Sequence, residues 1–100
     1  MVKLTVLYGA PADPGAFDAY YAEHHAPLVR KMPGLRRFEV AHVVGTPDGS
    51  PPPYYLIAEL YFDSPEAMQA SRSTPEGVAT SGDVANFATG GATVMIAAID

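Results

Sequence analysis

The sequence predicts an α+β fold with the element order βαββαβ. Four short runs dense in β-branched and aromatic residues mark strands. Three Asp/Ser/Thr-Pro pairs mark helix starts, and proline- and glycine-rich stretches punctuate the chain between them.

VKLTVLYG (Val2 to Gly9) is the first strand, ended by Gly9-Ala10-Pro11. Asp13-Pro14 then opens a helix, with an acceptor side chain at the cap and a proline whose missing N–H costs nothing at the first helical position. That helix stops at Met32-Pro33-Gly34. LRRFEVAHVVG (Leu35 to Gly45) alternates Phe38, Val40 and Val44 with Arg37, Glu39 and Val43, a period of two and hence a strand. TPDGSPPP (Thr46 to Pro53) is a loop, and YYLIAELYF (Tyr54 to Phe62) returns as the antiparallel partner. Ser64-Pro65-Glu66 and Thr74-Pro75-Glu76 repeat the helix-start signature, each with a glutamate where the helix dipole favours it. The signatures leave open whether Pro65 to Arg72 and Pro75 to Ala88 are one broken helix or two. ATVMIAAI (Ala92 to Ile99), introduced by Gly90-Gly91, is the last strand.

This order is the split βαβ of ferredoxin-like folds, with both helical segments on one face of a four-stranded antiparallel sheet. The other face should be polar if water covers it. The pattern reads otherwise: Val94 and Ile96 oppose Met95, Ala97 and Ile99, while Leu56, Leu60 and Phe62 oppose Tyr55, Ile57 and Tyr61. A sheet apolar on both faces calls for a second copy, so a two-fold homodimer through the sheet face is the expected assembly.

One hundred residues fit one domain, 1–100, with little core to spare. The net charge of −5 argues against nucleic acid or an anionic membrane as partner, although Arg30, Lys31, Arg36 and Arg37 cluster near a helix end. No apolar stretch approaches the roughly 20 residues that span a bilayer, and MVKLTVLYGA lacks the features of a signal peptide. With no cysteine there is neither a disulfide nor a thiolate site, and a cytoplasmic protein is expected.

The stretch FDAYYAEHHAPLVRKMPGL (Phe17 to Leu35) carries the chemistry. On a uniform helical wheel Phe17, Tyr21, His24 and Leu28 form the core stripe, and His25 stands at its edge. Adjacent histidines point about a quarter-turn apart, and no His-x-x-x-His occurs, so no metal site is expected. Pro27 has no N–H for the carbonyl of Glu23 and disfavours helical geometry at Ala26, which predicts a bend or loosened turn at His25-Ala26 and room for a cavity beside an imidazole. A simple junction between two helical segments satisfies the same residues.

FDAYYAEHHAPLVRKMPGLRRFEV resembles the hallmark segment of the EthD family, named for a protein encoded with an ether-degrading cytochrome oxygenase system. Phe17, Tyr20, Tyr21, His25, Pro27, Leu28, Pro33 and Gly34 match its pattern, and YYLIAELYFDSPEAM (Tyr54 to Met68) is similar to the family as well. The resemblance implies one EthD-like domain, a dimeric α+β barrel, and His25 as the family's histidine. It also implies a link to oxidative degradation and to cofactor-independent chemistry on small hydrophobic or aromatic compounds.

His25 is the candidate catalytic residue, since imidazole titrates near neutrality, and His24 is expected to pack. Tyr8, Tyr21, Tyr55 and Tyr61 are candidates to line an apolar pocket and turn a hydroxyl to a ligand. Glu59 shares its strand face with Tyr55, Ile57 and Tyr61, where a carboxylate needs a partner, and it joins them as a candidate for substrate binding. His42 raises the same question. Neither a phosphate-binding loop nor a Gly-x-Ser-x-Gly elbow occurs, and a Rossmann-type nucleotide site has no support. No cofactor is expected. Two classes of function remain: a cofactorless monooxygenase, dehydratase or decarboxylase, or a non-catalytic small-molecule-binding protein that assists a partner oxygenase.

Overall fold

The computed structural model describes residues 1–100. Strands β1 (Val2–Tyr8), β2 (Arg37–His42), β3 (Leu56–Phe62) and β4 (Ala92–Ala98) form one antiparallel sheet in the order β2-β3-β1-β4. The second and third strands are shorter than their apolar runs suggested. Single bonds carry the pairing past their ends, Arg36 N–H to Tyr61 O at 2.8 Å and Val43 N–H to Tyr55 O at 2.9 Å. The regular alternation does not reach back to Tyr55, whose N–H donates to Tyr8 O at 2.7 Å where the chain enters from Pro51-Pro52-Pro53.

The first helical body runs through α1 (Pro14–Tyr20), a π-helical turn (Tyr21–His25) and α2 (Ala26–Arg30). The later region resolves into two helices, α3 (Pro65–Arg72) and α4 (Pro75–Asp83), followed by a 3₁₀ turn (Val84–Asn86). All three caps act as their side chains dictate. Asp13 accepts from Ala16 N–H at 3.1 Å, Ser64 from Ala67 N–H at 3.0 Å and Thr74 from Gly77 N–H at 3.1 Å. Two helices form rather than one because Pro75 cannot donate to the end of α3 and Thr74 caps a new start.

The helices lie over the centre of the sheet. Val2, Leu4, Val6 and Tyr8 of β1 and Leu56, Ala58, Leu60 and Phe62 of β3 are buried beneath them. The edge strand β4 is left bare on the same face, with Val94 and Ile96 50% and 58% exposed, whereas Phe38 of β2 packs half-buried against the core. The opposite face has no cover within the chain and is less uniformly apolar than its sequence pattern suggests. One row across it is Ala41, Ile57, Leu7 and Thr93; the next two interleave Glu39, Glu59, Lys3 and Arg37 with Met95 and Ala97. Glu39 and Glu59 stand directly opposite one another, a repulsion met by Arg37 and Tyr61 on one and Lys3 on the other. In the single chain the sheet is open, with β2 and β4 as its edges, and no barrel closes without a further chain.

The α3–α4 corner is tight. A Cβ at Gly77 would lie 2.6 Å from Arg72 Cα and collide with the Ser71 carbonyl, so only glycine lets α4 approach the end of α3 this closely. Gly77→Ala should lower stability by about 1–3 kcal/mol, the usual cost of overpacking, read from denaturant unfolding midpoints.

Candidate functional site

The π-helical turn decides which histidine is buried. Ala26 N–H reaches back five residues to the Tyr21 carbonyl. Pro27, directly after it, offers no N–H, so the helix cannot return to four-residue spacing at that point. In a straight helix four residues overshoot one turn, and a stripe spaced by four drifts round the surface. The wide turn absorbs the surplus. The buried stripe is therefore Phe17, Tyr21, His25 and Val29 at a constant spacing of four. This corrects the wheel-based expectation: His24 is exposed and leans on Tyr20, Leu28 is only half-buried, and His25 is 3% exposed.

The end of α4 meets this turn. His25 Nδ1 lies 3.0 Å from Asp83 Oδ2, and Tyr20 O–H donates to Asp83 Oδ1 at 2.6 Å, joined by the Asn86 side-chain amide at 3.0 Å. Phe87, past the 3₁₀ turn, packs on the imidazole with centroids 4.6 Å apart and also touches Tyr8, Phe17, Tyr20 and Tyr21. Burial pulls the Asp83 carboxyl upward, but the hydrogen bonds from Tyr20, Asn86 and His25 outweigh it and leave it below its ordinary value. Burial lowers the His25 imidazole below its ordinary value, and Asp83 opposes that only in part. A carboxylate facing a neutral imidazole fixes the tautomer: the proton sits on Nδ1, and Nε2 keeps its lone pair.

His25 lines a cavity of about 290 Å³ between the helices and the β1–β4 side of the sheet. Of its 15 lining residues 11 are hydrophobic, so a ligand there meets an apolar surface with few polar anchors. The floor is β-sheet, with Leu4, Val6, Ala58 and Val94, and the polar side chains are His25, Arg72, Thr80 and Ser81. Tyr8 and Tyr21 also line it. Burial pushes both phenols well up, so both stay protonated, and the two hydroxyls face each other at the cavity wall.

The remaining expected site residues lie elsewhere. Glu59 and Tyr61 project from the opposite face of the sheet, where Glu59 pairs with Lys3 at 2.6 Å and Tyr61 O–H donates to Glu39 at 2.9 Å. Tyr55 does not share their face. It turns to the helix side, packs on Phe17 and donates to Asp18, which also meets His42 at 2.9 Å. That cluster is outside the His25 cavity. Asp83, Arg72 and Phe87 were not marked by any sequence motif. One signal did exist for Asp83: a carboxylate in the last turn of a helix opposes the dipole and calls for a partner. No three His, Cys, Asp or Glu side chains gather closely enough to hold a metal ion.

The EthD domain model matches residues 10–91 of the chain. An uncharacterized 11.0 kDa protein in the thcB-thcC intergenic region of Rhodococcus erythropolis is 43% identical over 95 residues, covering 95% of this chain and 91% of that one. An EthD family protein from Bacillus halodurans superposes with a TM-score of 0.94 at 44% identity, over 100% of this chain and 99% of that one. SnoaB, a cofactor-independent oxygenase from Streptomyces nogalater, shares the fold at 12% identity with a TM-score of 0.72, over 98% and 91% of the two chains.

The dyad makes stability depend on pH in a set direction. Folded, His25 takes up its proton at a lower pH than the ordinary value of 6.5 that it regains on unfolding. Its contribution is complete above pH 6.5 and is lost as the pH falls from there through the folded-state value. Melting temperatures followed from about pH 8 to about pH 5 should drop below 6.5 in the wild type. The drop should be smaller in His25→Asn, which keeps a donor toward Asp83 without a titrating ring.

Proposed function

Because the chain belongs to the EthD family, we propose that it is a cofactor-independent enzyme that acts on a small hydrophobic or aromatic compound, with His25 as the base. The observation that carries this reading is the His25–Asp83 pair on the wall of an apolar cavity. A neutral imidazole with its proton held on Nδ1 presents Nε2 as the proton acceptor, and Asp83 stabilises the imidazolium once the proton has moved. Tyr8 and Tyr21 stay protonated and serve as donors to a substrate oxygen.

A substrate with an acidified methylene group fits this machinery. His25 takes one proton and leaves a delocalised carbanion. Dioxygen accepts its electrons and, with a proton returned, gives a hydroperoxide on a carbon that still bears one hydrogen. Loss of water turns that hydroperoxide into a ketone. In sum, the methylene compound and one dioxygen give the ketone and one water, with carbon oxidised and oxygen reduced. The shared fold of SnoaB supports this class, as does the neutral state of His25 at physiological pH.

The protein acts, in this reading, as a homodimer. Leu7, Ile57, Ala41 and Met95 on the uncovered sheet face are the apolar surface that a second copy would take out of water, and two such sheets face to face would complete a barrel. Light scattering at micromolar protein should give twice the chain mass; the mass of one chain would overturn the assembly.

Metal-free protein incubated with anthrone in air should consume oxygen and form the quinone, with His25→Ala slower by roughly 10²–10⁴-fold. The acid limb of the rate profile should fall below pH 6.5, because the base is depressed. Anthrone bound equally by both proteins with no turnover in either would favour the accessory, ligand-binding role instead.

A further inference from the structure

The cavity's polar groups are unevenly charged. Arg72, at the end of α3, is its only charged lining side chain, and no carboxylate lines it. The chain's ion pairs are Lys3–Glu59, His25–Asp83, Arg36–Asp63, Arg37–Glu39 and His42–Asp18, and Arg72 is in none of them. The residue is half-buried at the cavity wall, and an unpaired guanidinium in that position is best met by an oxyanion.

The helix end does not need it. The carbonyls of Gln69, Ala70 and Ser71 already accept from Ser73 N–H and Thr74 N–H, and the hydroxyls of Ser73 and Thr74 donate to Gln69 and Ser71 again. Gly77 holds the Arg72 backbone against α4, the helix whose last residue, Asp83, orients His25. The same corner therefore carries the backbone of Arg72 and begins the helix whose far end holds the partner of His25. The Tyr8 and Tyr21 hydroxyls lie close to one another in the same cavity, so Arg72 is the one charged donor there without a partner.

We propose that the cavity's ligand is a compound of about two to three fused rings bearing one anionic oxygen, a carboxylate or an acidic enolate, and that Arg72 holds that oxygen. The assignment rests on the reading of His25 as the base of this cavity. The size follows from the volume: a dry cavity of about 150 Å³ admits benzene, and this one is about 290 Å³. The surrounding side chains supply the apolar contact, and the chain's net charge of −5 makes a local cation necessary for an anion to stay.

The test is equilibrium binding by calorimetry with unreactive probes in matched pairs. Naphthoate is set against naphthamide, and umbelliferone, at a pH where its phenol is ionised, against its methyl ether. Wild-type protein should prefer the anion over its neutral partner roughly ten- to hundredfold in at least one pair, and the pair that responds identifies the oxygen as carboxylate or enolate. Arg72→Gln should erase the preference while leaving neutral affinity in place, Arg72→Lys should restore part of it, and His25→Ala should keep it. Thermal melting of each variant verifies the fold. Equal affinity for anion and neutral probe, no binding of either anion, or a preference that survives Arg72→Gln would overturn the assignment. None of these readings depends on turnover, so an inactive protein leaves them intact.

Discussion

One missing hydrogen-bond donor organises the site. Pro27 has no N–H, so the helix before it closes with a five-residue reach from Ala26 to Tyr21, and the widened turn brings His25 rather than His24 onto the buried face. A helix with uniform geometry would present His24 and Leu28 to the sheet and leave His25 at the margin. The aromatic cluster of Tyr8, Phe17, Tyr21 and Phe87 then packs around an imidazole instead of an aliphatic side chain. Every later feature of the cavity depends on that exchange.

An imidazole placed there needs its ring nitrogen satisfied, and the fold supplies Asp83 from the end of α4. A buried carboxylate at a helix C-terminus is expensive twice over, through lost hydration and through the dipole. Tyr20 and Asn86 offset this with two further hydrogen bonds to Oδ1. The network holds the ring in one orientation and one protonation pattern, the preorganisation that the proposed role of His25 as a base would use. Replacing such a pair by apolar residues commonly stabilises a fold, so stability alone is a poor account of why it sits beside a cavity.

Much of the architecture could be read from local signals, because those signals act over three or four residues. Asp13, Ser64 and Thr74 cap where proline follows them, and the strand periods of β1 and β3 separate Leu60 from Glu59 and Tyr61 without ambiguity. The site was legible only in part. Tyr8, Tyr21 and His25 do meet at one cavity. His24 was misplaced because a wheel assumes a constant angle per residue, which Pro27 removes. Tyr55 was misplaced because strand parity was carried beyond the regular ladder, where the chain turns toward α1. Asp83 lies 58 residues from His25, a pairing that no local pattern encodes.

The two faces of the sheet divide the chemistry. Outward side chains of β1 and β3 carry Lys3, Glu59 and Tyr61 in ion pairs and hydrogen bonds that need no ligand. Inward ones carry Val6, Ala58 and Leu60, and next to them Ala92 and Val94 of β4 floor the cavity. Small residues at Ala58 and Ala92 leave the hollow unfilled, and its β4 side is open, with Val94 50% exposed, so its lining forfeits contacts that a filled interior would make. The chain thus gives up packing, hydrates a carboxylate poorly and widens a helix, all within one region. Three separate costs converge on the surroundings of a single imidazole, and the proposed role of His25 as a base in a ligand cavity gives all three a use.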